Sequence, residues 1–169
     1  MQLTFTRQGS RTLLTCSRAD GSTDQSDLGP SLPYHDLAHF VAESDLGLTD
    51  GFFGSVAAGR TMDELSDATL IPTLPPGSMQ AEIAARGVGS LATGACRPEQ
   101  LAELVNSELE HLGLPLLTGL DTARAERLLT GFRDLVARFE TVADGDSLKL
   151  VFADPSRAQS HPSGLFRPN

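Results

Sequence analysis

The chain has 169 residues, of which 40% are hydrophobic and 21% charged, and its formal net charge is −9. That size and balance describe a globular chain able to bury a core without disulfide staples, and they exclude global disorder. The acidity argues against nucleic acid and anionic membrane as partners, since both need clustered Lys and Arg.

The start of the chain alternates, with Leu3 and Phe5 on one side and Gln2, Thr4 and Thr6 on the other, the pattern of a half-buried strand. The stretch RQGS turns the chain, and RTLLTCSR reads as the hairpin partner. Asp20-Gly21 signals a tight turn, and an exposed third strand fits residues 22–28. A helix is expected from near Pro33, capped by Ser31 and favoured by Asp36 in its first turn, to Gly47. A second short helix, capped by Thr49 and anchored by Phe52, Phe53 and Val56, follows in LTDGFFGSVAAGR. Residues 71–78, IPTLPPGS, read as a rigid loop. Residues 79–95 are rich in Ala and Gly and have no clear pattern.

From Pro98 the residues Leu101, Leu104, Val105, Leu109 and Leu112 keep one helical face, closed by Gly113 and Pro115. The last helix, Asp121 to about Ala143, carries Leu128, Phe132, Leu135, Phe139 and Val142 at spacings of three and four. Residues 148–152 then alternate as a strand, which needs a partner for its backbone and finds one in the N-terminal hairpin. The expected fold is α+β: a small antiparallel sheet from the N-terminal hairpin and the C-terminal strand, packed against about four helices. Residues 1–154 form the domain in this reading, and 155–169 an extended or flexible tail. No apolar run approaches the roughly 20 residues of a membrane span. The start, MQLTFTRQ, lacks the basic segment and apolar stretch of a signal peptide, so the expected location is cytoplasmic.

Chemistry concentrates in LPYHDLAHFVAE, residues 32–43. At roughly 100° per residue, Tyr34, Phe40 and Val41 fall on the side of Leu37, and His35, Asp36, His39 and Glu43 on the opposite side. Two readings follow. In one, the stripe is a solvated surface, and the protein is a binding or interaction module using the groove between this helix and Phe52/Phe53. A protein partner or a second copy of the chain would then occupy it. In the other, histidines four residues apart hold a divalent transition metal such as zinc, with Glu43 as third ligand, and the protein is a metal-dependent hydrolase-like enzyme. Asp36 is then the candidate catalytic base. The string His35-Asp36-Leu37-Ala38-His39 departs from the zinc-protease pattern HExxH where that pattern places its general-base glutamate. Asp36 itself, or a distant residue such as His111 or His161, is the alternative third ligand.

Other signals carry less. GVGSLA at 87–92 matches a dinucleotide fingerprint formally, but the segment before it is helix-like rather than a strand. There is no Walker A loop and no G-x-S-x-G elbow, and Lys149 is the only lysine. Cys16 reads as a small packed hydrophobe. Cys96, beside Arg97 at a helix start, is a weak candidate for a thiol of lowered pKa.

The segment LPYHDLAHFVAESDLGLTDGFFGSVAAG, residues 32–59, resembles a group of small uncharacterised bacterial proteins. In these a Pro-x-His-Asp-Leu-x-His-Phe helix follows a strand hairpin and leads to a Gly-Phe-Phe-Gly segment. The resemblance covers residues 1–60 and, loosely, the final helix and strand. It implies that His35, Asp36, His39 and Glu43 belong to a recurring pattern, and it implies no activity.

Overall fold

The structure, a computed structural model, describes residues 1–30 and 32–153. The expected cap Ser31 and the expected tail, with His161, lie outside them. Strands β1 (Gln2–Gln8) and β2 (Arg11–Ser17) form the hairpin, turning through Gly9 at φ +60°. The third strand, β3 (Thr23–Asp27), pairs with β2, and β4 (Ser147–Val151) pairs antiparallel with β1. The strand order is β3-β2-β1-β4, and the fold is α+β. Register follows from the alternation: Phe5 faces Leu148 and Leu3 faces Leu150 across the β1/β4 ladder. A one-residue slip would turn both pairs out of the core.

Six α-helices, rather than about four, cover the sheet among the described residues. The first, α1 (Tyr34–Leu46), stops at Gly47 in the left-handed conformation, φ +69°. No side chain caps its start at Pro33. In α2 (Phe52–Ala57) the cap position is Gly51, not Thr49. Thr49 instead lays its backbone against Gly54, where a Cβ would collide with the Thr49 carbonyl. The short α3 (Met62–Ser66) is an unexpected element with a readable cause. Thr61 and Glu64 form a capping box, the Thr hydroxyl accepting from the Glu64 amide and the Glu carboxylate from the Thr61 amide.

A single 3-10 turn (Ile71–Thr73) precedes α4 (Pro76–Thr93). This helix corrects the loop reading of residues 76–78, because Pro76 sits in the first turn, where its missing N–H costs nothing. It also resolves the unpatterned segment. Ala81, Ala84, Ala85 and Gly87 are small because neighbours come close: a Cβ on Gly87 would lie 2.9 Å from Leu101 Cδ1 and 3.0 Å from Val105 Cγ2.

After a 3-10 turn at Pro98–Gln100, α5 (Leu101–His111) buries Leu101, Val105 and Leu109, but Leu104 and Leu112 are about half exposed. The last helix, α6 (Thr122–Glu140), is capped by the Asp121 carboxylate, which accepts from the Arg124 amide. It buries Leu128, Phe132, Leu135 and Phe139 as its periodicity requires.

Helix α1 touches α2, α4 and α6, which decides the surroundings of its side chains. Below it, Phe40, Phe53 and Phe152 meet with ring centroids 6.0–6.5 Å apart, at the separations aromatic pairs favour. No helix among the described residues is long and apolar enough to cross a membrane.

Candidate metal centre

The stripe on α1 is a wet helix face only at its start, where His35 is exposed and Asp36 half-buried. His39 is 6% exposed and Glu43 1%, whereas Tyr34, expected on the core side, is 40% exposed. The angular reading treats α1 as lying on a single core. Because α2 and α4 also pack on α1, His39 and Glu43 are buried although they lie opposite Leu37.

Burial of these polar groups is matched by hydrogen bonds, as it must be. His39 Nδ1 lies 3.0 Å from Glu43 Oε1, and its Nε2 lies 3.1 Å from Oε2 of Glu82 on α4. The second oxygen of Glu43 accepts the Gly54 amide at 3.1 Å. The approach is close enough that a Cβ on Gly51 would lie 2.5 Å from the Glu43 carboxyl carbon. Glycine at 51 therefore makes room for the carboxylate that holds His39. His35, one turn earlier, places Nε2 3.4 Å from the same Glu82 Oε2, and the two imidazoles meet edge-to-face at 4.7 Å. Arg86 holds the other Glu82 oxygen at 3.5 Å while bonding Glu108 at 2.7 Å.

One nitrogen from each of His35 and His39 and one oxygen from Glu82 thus lie within 4.8 Å of one another. Glu43, expected as the third ligand, is not in this group. It binds the opposite nitrogen of His39, where it fixes the ring. A tetrahedral ion with bonds of about 2.0–2.1 Å separates its donors by roughly 3.3 Å, and the two donor pairs measured here are at 3.1 and 3.4 Å. Glu82 escapes sequence reading because it comes from the unpatterned segment, 43 residues from His39. The one available signal is an acidic residue between Ala81 and Ile83, both of which are buried. His111 lies exposed in the last turn of α5 and takes no part.

The charges respond as the geometry requires. Burial pulls His39 down, but hydrogen bonds to Glu43 and Glu82, and their charges, outweigh it and lift the imidazole to about 9. His35 first, and then His39, hold the Glu82 carboxyl well below the ordinary carboxylate range. Asp36 is half-buried, and burial raises its carboxyl against the opposing pull of both histidines. Without a metal, His39 is therefore an imidazolium donating from both nitrogens to carboxylates.

The group opens onto a cavity of about 340 Å³ whose lining includes His35, Asp36, His39, Glu82, Phe52 and Leu65. Phe53, the other half of the expected groove, is fully buried in the core. Neither thiol belongs to the cavity lining. Burial pushes Cys16 up to about 12, and it raises Cys96 rather than lowering it. Comparison of the chain with protein families, with curated proteins and with solved structures finds no match in any of the three.

Proposed function

We propose that His35, His39 and Glu82 hold a divalent transition-metal ion and that the protein is a metal-dependent hydrolase-like enzyme acting on a ligand in the adjoining cavity. The observation that carries this reading is the two-sided setting of His39. One nitrogen faces the other donors, while the second is fixed by a buried carboxylate, the arrangement that orients metal-binding imidazoles. Three protein donors leave a position for water, as catalytic zinc sites do. An ion held there would supply a water of lowered pKa, and Asp36, which lines the same cavity, would be the base that takes its proton. In the hydrolysis this would support, the water oxygen would add to the electrophilic centre as the bond to the leaving group breaks, and Asp36 would return the proton to that group.

Titration of the chelator-treated protein with cobalt(II), followed by visible absorbance, tests this. Saturation near one ion per chain is expected, and it should be lost in His39→Ala and in Glu82→Gln. Absence of binding at micromolar concentrations overturns the metal assignment. The cavity between α1 and Phe52 then leaves the second reading, a binding module without catalysis, as the better account.

A further inference from the structure

The chemistry of the cavity wall narrows what can be bound beside the three donors. Phe52, Met62, Leu65, Ile71, Leu74 and Met79 contribute apolar surface from α2, α3, the 3-10 turn and the start of α4. Ser26, Ser66 and Ser78 add small hydroxyls. Among the described residues no Arg or Lys lines the cavity, and Arg86 nearby is already engaged by Glu82 and Glu108. Sites for phosphoryl or carboxylate groups place such cations, or a row of backbone amides, around the anion. Here the fixed charges beside the donors are the carboxylates of Asp36 and Glu82, on a chain of net charge −9.

We infer that this cavity selects a small uncharged ligand of the amide or ester class, with its carbonyl toward His35, His39 and Glu82 and its apolar part against Phe52, Leu65 and Leu74. This rests on the metal reading above, and it adds a class of substrate that the donors alone do not specify. At about 340 Å³ the cavity falls at the small end of ordinary ligand sites, so the apolar part is a short chain or a single ring. An apolar lining rewards each buried methylene, whereas a phosphate dianion would lose its water, find no cation beyond the ion itself and face the carboxylates of Asp36 and Glu82.

The test uses the cobalt-loaded full chain and three probes: benzohydroxamic acid, acetohydroxamic acid and inorganic phosphate. Cobalt loading is read first from its own absorbance, so that failure of the metal site is separated from failure of the ligand class. With metal bound, benzohydroxamate should bind at least tenfold more tightly than acetohydroxamate, as burial of one ring predicts, and phosphate at millimolar concentration should displace neither. Leu74→Asp should lower benzohydroxamate affinity by tenfold or more while cobalt still loads to one ion per chain, as read from its absorbance. Equal affinity for the two hydroxamates, displacement by phosphate, or indifference to Leu74→Asp would each overturn the inference.

Discussion

In the metal-free protein, His39 makes stability fall as pH rises through neutrality. Its imidazole is buried between Glu43 and Glu82 and is lifted from 6.5 to about 9. A folded-state pKa above the unfolded value means that the folded chain holds more protons between the two. This contribution is therefore fully present below about pH 6.5 and is lost as pH rises through about 9. Evaluating the two binding polynomials at pH 6 and pH 8.5 gives a loss of roughly 2 kcal/mol. For a chain of this size that corresponds to a fall in Tm of about 4–8 °C. The window lies above the ordinary carboxylate range; at its upper end the unfolded Cys16 thiol begins to ionise and adds a smaller loss of the same sign, so the difference between the parent chain and His39→Gln isolates the imidazole. The assay is urea unfolding with chelator present, at half-unit pH intervals, for the parent chain and for His39→Gln. The variant should lose most of the slope. A bound metal should invert it, because the ion needs His39 without its Nε2 proton and binds better as pH rises. A flat profile in the chelated protein, or the same slope in His39→Gln, would refute the reasoning.

Gly51→Ala should drive its new methyl into the Glu43 carboxyl, costing about 1–3 kcal/mol in urea unfolding. By displacing Glu43 from His39 it should also weaken cobalt binding about 10- to 100-fold. Phe152→Ala removes a ring that is 1% exposed and packs on Phe40 and Phe53, so a loss of about 3–5 kcal/mol is expected in the same assay. A thiol reagent such as a disulfide dye should modify Cys16 only slowly at pH 8 in the folded protein, and rapidly in urea, because burial holds its pKa near 12.

How much of this was legible in the sequence varied with the kind of signal. The sheet was readable because Leu3, Phe5, Leu148 and Leu150 alternate with polar residues, and alternation is a local property of a sheet with one buried face. The periodicity of α6 was readable for the equivalent helical reason. Helix α4 was not, since its large buried residues, Ile83, Val88 and Leu91, are few and unevenly spaced among the small Ala81, Ala84, Ala85 and Gly87. That omission had consequences for the site. With α4 absent, the far side of α1 looks solvated, His39 looks exposed, and the partner of His35 and His39 must be sought on the same helix. Glu43 then becomes the natural third donor, although its carboxylate is turned to Nδ1 of His39 and to the Gly54 amide. The spacing of His35 and His39 was enough to mark them as neighbours. Glu82 depends on a contact between two helices that only the fold supplies.

The central claim is that His39 is a metal-directed imidazole held from behind by Glu43. Calorimetric titration of the chelator-treated chain with zinc at pH 7.5, in two buffers of different ionisation enthalpy, tests it most directly. The account predicts one ion per chain, release of about one proton as the ion displaces it from His39, and no binding by His39→Gln. Binding without proton release, or undiminished binding by His39→Gln, would contradict it.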